Sequence, residues 1–167
     1  YDEEVSAHLN YSAKTMEEAL EDTARRHGDL IAYDYMGSHC TYRELVEKVH
    51  QCARALKAMG IREGDRVTIC MPNCPQTLIM FYAVNLVGAV SNMVHPLSAE
   101  SEIAFYLRDS ASVAAITLDQ FYPKFARIRR VVDLPTLIVT SAADELSAPV
   151  RAGYYIKEGH KSKPIPK

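Results

Sequence analysis

Few residues in this chain have types and spacings that could do chemistry. Cys70 and Cys74 flank the end of an apolar run. A zinc site needs four ligands at recognisable spacings, and no second Cys or His pair stands at such a spacing, so the two read as buried thiols and no metal is expected. No G-x-G-x-x-G follows an apolar run and no G-x-x-x-x-G-K-[ST] occurs, which leaves these residues without a phosphate-cradling loop. No serine sits in a nucleophile elbow. The six histidines are scattered, none with an obvious carboxylate partner in sequence. Lys157, Lys161, Lys163 and Lys167 stand near Tyr154 and Tyr155, but lysines in such a segment read as solvated rather than as an RNA surface.

What remains is positional, so the elements that do the positioning come next. From Val67 to Ala99 there is no charge at all. A membrane segment, a thiol metal site and the inside of a soluble sheet are the three readings of that run. Val67 to Met71 is a short β-rich run without alternation, as for a strand buried on both faces of a parallel sheet. Pro72-Asn73-Cys74-Pro75 stops it, and Pro75 suits the first turn of a helix. Gly88 ends that helix near Val87, so about thirteen residues reach roughly 20 Å, short of the roughly 30 Å hydrocarbon core. Ala89 to Val94 reads as a second buried strand. The run is strand–helix–strand, and no membrane span is expected.

The flanks agree. Thr15-Met16-Glu17-Glu18 is a capping box opening a helix to about His27. Leu30 to Tyr35 has strand composition and turns back at Met36 to His39 as a hairpin. A second box, Thr41-Tyr42-Arg43-Glu44, opens a helix with Leu45, Val49, Ala53 and Leu56 at helical spacing, closed by Gly60. Beyond the uncharged run, Ser98 caps a helix with Ile103 and Leu107 inward. Val113 to Thr117 is a strand, Gln120 to about Arg130 a weaker helix, and Thr136 to Thr140 another strand. Alternation of this kind argues an α/β fold, a layered mostly parallel sheet with flanking helices. Residues 142–167 read as loop.

Composition sets bounds. Of 167 residues 48% are hydrophobic and 24% charged, with net charge −2, so no general attraction to nucleic acid or anionic membrane is expected. Four cysteines in a chain this long are no disulfide scaffold, and the apolar settings of three of them suit reduced thiols in the cytoplasm. The acidic, polar N-terminus is no signal peptide. Both ends read as cut, so a piece of a longer protein is expected. In an open parallel sheet ligands bind outside the carboxyl ends of the strands. Here those ends carry Pro72-Asn73-Cys74, His95-Pro96-Leu97-Ser98 and Leu118-Asp119, and only His95 titrates near physiological pH. That His95-Pro96 merely shapes a turn is the alternative.

The run from Thr41 to Gln76 resembles the early part of the AMP-forming acyl-CoA synthetase, or adenylate-forming, superfamily. Thr41, Tyr42, Glu44 and Leu45 match its helix start, and Ala55, Leu56, Gly60 and Ile61 the following turn. Gly64, Asp65, Arg66 and Val67 lead to a strand ending in Pro72-Asn73. Gly88-Ala89-Val90, Glu102-Ile103, Leu107 and Asp109-Ser110 follow in order, and the likeness runs from about Thr15 to Ser141. It implies that residues 1–141 are an incomplete part of the large N-terminal domain, with 142–167 leading toward the phosphate-binding segment. The parent enzyme would activate a carboxylic, most simply a fatty, acid with ATP and magnesium to an acyl-adenylate, then transfer it to CoA. No catalytic residue carries over, because the Ser/Thr/Gly-rich phosphate loop, the nucleotide-binding segments and the catalytic lysine are absent here. The fragment is expected to be inactive and to bind none of these cofactors itself. One carry-over concerns CoA: the loop after the second strand places Val94, His95 and Pro96 on the CoA side, with Lys124 or Arg127 as basic partners. The resemblance implies that the acyl pocket forms largely downstream of these residues. The alternative is a self-contained small α/β binding module without catalysis. The uncharged helix, apolar nearly all round, is also expected to leave a face that a homodimer would bury.

Overall fold

Both capping boxes form. The Thr15 hydroxyl accepts from Glu18 N while the Glu18 carboxylate accepts from Thr15 N at 2.8 Å, and Thr41 and Glu44 repeat the arrangement. They start α1 (Met16–His27) and α2 (Tyr42–Ala58) in a computed structural model that describes residues 13–158. Between them β1 (Ile31–Tyr35) and β2 (Ser38–Thr41) pair antiparallel. Met36 and Gly37 turn the hairpin with φ of 52° and 77°, the paired left-handed geometry whose twist matches the flanking strands.

Then follow β3 (Arg66–Cys70), α3 (Pro75–Leu86), β4 (Val90–Met93), α4 (Glu100–Asp109), β5 (Ala114–Leu118), α5 (Tyr122–Ile128), β6 (Thr136–Thr140) and α6 (Ala148–Glu158). The four later strands form one parallel sheet in the order β4-β3-β5-β6. Alternate residues of β3 feed opposite layers. Val67 and Ile69 pack with Leu45, Val49, Leu56, Ile79 and Val84 on the α2 and α3 side. Cys70 packs with Ile103, Leu107, Phe125 and Ile128 on the α4 and α5 side.

The matched motif residues hold this frame. Asp65 Oδ2 accepts from Arg62 N at 2.8 Å, closing the turn before β3. The Arg66 guanidinium donates to Ser110 O at 2.8 Å and to Ala111 O at 3.3 Å, so it caps the carbonyls at the end of α4. Thr68 has no exposure, and its hydroxyl shares a 2.7 Å hydrogen bond with Ser112 and accepts from Asn92 Nδ2 at 2.9 Å. Buried polar groups on β3 are therefore paired, as burial demands.

Three readings of the sequence are corrected. The strand after Gly88 is not buried: β4 is the sheet edge, with Val90 and Met93 half-exposed, because nothing pairs beyond it among the described residues. Ser98 is not the cap of α4. Ala99 occupies that position without a side-chain bond, and the Ser98 hydroxyl binds the Glu102 carboxylate instead. Residues 142–158 are not loop. Ala142–Glu145 forms a 3-10 turn, capped by Ser141 and Asp144, and α6 follows with Pro149 in its first turn. Burial of Ala143 and Leu146, with bonds from Tyr33 OH to Glu145 (2.9 Å), from Ser147 N to Ser38 Oγ (2.7 Å) and from Gln76 Nε2 to Ser141 O (2.7 Å), anchors this segment to the hairpin and α3. Lys48 completes the anchor through an ion pair with Glu145. Lys161, Lys163 and Lys167 lie outside the described residues. Among those described, no helix is long and apolar enough to cross a membrane.

Phe125 has no exposure at the centre of the second layer. Phe125→Ala should lower unfolding free energy by about 3–5 kcal/mol in urea titrations. Val131→Ala, at a position 65% exposed, should stay within about 0.5 kcal/mol.

Candidate functional site

Because β3, β4 and β5 are parallel, their carboxyl ends open on one side of the sheet. Val94 continues β4: its N–H donates to Ile69 O at 3.1 Å and its side chain joins the α4 and α5 layer. Pro96 is buried, whereas His95 and Leu97 are exposed. His95 Nδ1 accepts from Leu97 N at 3.3 Å, and His95 O accepts from Ser98 N at 3.2 Å, so the loop closes on itself.

α5 reaches this loop from the next crossover. Lys124 Nζ donates to Pro96 O and to Ser98 O, both at 2.8 Å. Arg127, one turn on, grips Glu100 at the start of α4, with Nε to both carboxylate oxygens at 3.0 and 3.1 Å and Nη2 to Oε1 at 2.5 Å. The Arg127 guanidinium holds the Glu100 carboxyl below its usual range, and the carboxylate raises Arg127 in turn. All five residues picked from the sequence thus meet at one corner, but in different capacities. Val94 and Pro96 are framework, Lys124 binds the loop backbone, Arg127 is paired with an acid, and His95 is the exposed titratable group.

The other strand ends are quieter. Pro72 O accepts from Thr77 Oγ1 at 2.6 Å, which shapes the turn into α3. Asp119 Oδ1 accepts from Gln120 N at 2.8 Å in the turn leading to α5. Cys70 and Cys74 are unpaired and buried, and among the described residues no group of three or more His, Cys, Asp or Glu could hold a metal ion.

A cleft of about 400 Å³ was not foreseen. The hairpin supplies Tyr33 and Tyr35, the start of α3 supplies Asn73, Cys74, Leu78 and Phe81, and Met93 closes one end. Its only sequence signal is the half-apolar hairpin, since the seating of β1 against α3 is a long-range contact. No residue of α3 is fully exposed, yet Leu78, Met80, Phe81, Tyr82 and Leu86 are only half-buried, and of these Leu78 and Phe81 line the cleft.

Comparison with known proteins gives these contacts a setting. The family profile described as "AMP-binding enzyme" matches residues 20–165. A long-chain-fatty-acid–CoA ligase of Bacillus subtilis is 30% identical over 161 residues, 96% of this chain and 29% of that protein. Triostin synthetase I of Streptomyces triostinicus is 32% identical over 133 residues, 77% of this chain and 25% of its own length. Among solved structures, the N-terminal domain of FACL13 from Mycobacterium tuberculosis superposes with a TM-score of 0.72 at 30% identity, over 79% of this chain and 35% of that one. The chain thus spans less than a third of the curated relatives named here.

Burial pushes the Cys70 thiol up from 9 to about 11, and burial also raises Cys40 and Cys52. An acid whose folded pKa is raised stays protonated while the unfolded chain deprotonates, so stability is intact below about pH 9 and falls as pH rises toward 11. For Cys70, with no exposure, the loss is on the order of 2 kcal/mol. Urea midpoints measured from pH 8 to 11 should show this decline, and Cys70→Ala should flatten its slope.

Proposed function

The chain belongs to the AMP-binding enzyme family, and on that footing we propose that it is the N-terminal part of an ATP-dependent acid–thiol ligase. The carboxylate of the substrate attacks the α-phosphorus of ATP and pyrophosphate leaves. The acyl-adenylate carbonyl is then attacked by the thiol of CoA, which loses its proton as AMP departs. A fatty acid is the substrate class favoured by the name of the Bacillus subtilis relative. Magnesium would accompany ATP, but no described group of side chains suits it, so no step is assigned to a metal here. The four free thiols support a cytoplasmic location.

Continuity carries this reading: the family match runs through every strand of the sheet and through the corner where Lys124 meets the His95–Ser98 loop. In the proposal that corner is the CoA-side wall. Val94 and Pro96 give it shape, His95 and the spare N–H of Lys124 offer hydrogen bonds to phosphate oxygens, and Arg127, whose charge is shared with Glu100, borders it. The 167 residues contribute framework and one wall rather than the reacting groups, since they contain no phosphate loop to position and neutralise the transferring phosphates. Self-association through the half-buried α3 face is part of the same proposal, because an apolar face of this kind finds a partner in the rest of a domain or in a second copy.

A longer polypeptide carrying these residues should release pyrophosphate and form acyl-CoA when given ATP, CoA and a fatty acid. The 167-residue chain alone should give no pyrophosphate above a heat-inactivated control. Turnover by the short chain, abolished by a substitution within it, would contradict the assignment.

A further inference from the structure

Lys124 stands half-buried with two backbone carbonyls as its hydrogen-bond partners and, among the described residues, no carboxylate within ion-pair distance. Those carbonyls, Pro96 O and Ser98 O, lie on either side of Leu97. An ammonium has three N–H donors, and two of them fix the backbone of this loop. The residue so held, Leu97, donates its N–H to His95 Nδ1 at 3.3 Å. An amide N–H can only donate, so Nδ1 must be the acceptor and the neutral imidazole carries its proton on Nε2. Glu102, the acid whose field includes His95, is already engaged by the Ser98 and Tyr106 hydroxyls.

We propose that Lys124 is a positioning residue that acts through the loop on His95. By stapling Pro96 and Ser98 it places the Leu97 amide under Nδ1 and fixes the exposed ring as an Nε2–H donor. Such a donor at the carboxyl edge of a parallel sheet suits an anionic oxygen, of which a phosphate is the simplest. Only the identity of that ligand as a CoA phosphate rests on the proposed function. The staple itself does not.

The test is nitrogen-15 NMR of the 167-residue chain, without ligand, combined with amide exchange. In the unsubstituted protein with the His95 ring neutral, the ring nitrogens should report a single Nε2–H tautomer. Lys124→Met should speed exchange of the Leu97 and Ser98 amides by roughly tenfold and draw the two ring shifts together, whereas Ile69 and Ile116 should exchange as before. Lys124→Arg, which keeps charge and donors, should restore most of the effect. An Nδ1–H tautomer in the unsubstituted protein would overturn the inference even if the Met variant failed to fold. Unchanged Leu97 and Ser98 exchange in a folded Lys124→Met variant would overturn it equally. Absence of any CoA response would count against the ligand assignment alone.

Discussion

Everything in this structure follows from a strand that has no wet side. Val67, Thr68, Ile69 and Cys70 have no solvent exposure, so β3 needs cover on both faces at once. Its two side-chain rows require two helical layers, and a parallel sheet with crossover helices is the arrangement that supplies them. The same burial forces every polar atom on the strand to find a partner. Thr68 is held by Ser112 and Asn92, and Thr117 of the neighbouring strand donates to Cys70 O at 3.0 Å. A single unpaired hydroxyl there would cost about as much as a core side chain contributes.

The constraint also builds the candidate site. Parallel strands put their carboxyl ends together, and each crossover helix must start just beyond one of them. α4 and α5 therefore begin side by side, which brings Lys124 over the Pro96–Ser98 backbone and Arg127 against Glu100. At the opposite end of the same sheet, Arg66 ties the end of α4 to the start of β3. Framework and site are thus the same contacts seen at two ends of one layer. Removing the frame would scatter the corner.

Local signals in the sequence were legible because local forces decide them. The capping boxes at Thr15 and Thr41, the charge-free run and the closing glycines each involve neighbours in sequence, and the structure has them where they were read. Non-local facts were not. That β4 is an edge depends on what lies beyond it, which its residues cannot announce. The turn after Ser141 carries its own capping box, but alanines, Pro149 and charges hide an amphipathic period in the helix that follows. Their fold is fixed by Tyr33, Lys48 and Gln76, more than sixty residues away. At the site, the sequence and its family resemblance named five residues that the fold brings to one corner, but not what each of them binds there. Whether a lysine is free or bound to carbonyls is set by a contact spanning 28 residues.

The central claim is that the corner of Val94–Ser98 and Lys124 is the CoA-side wall of an acid–thiol ligase. Hydrogen–deuterium exchange on a turnover-competent polypeptide carrying these residues, with and without CoA, addresses it most directly. The account predicts slower exchange confined, within this chain, to residues 94–98 and 122–128. Protection instead around the Asn73–Phe81 cleft, with residues 94–98 unchanged while acyl-CoA is being formed, would contradict it.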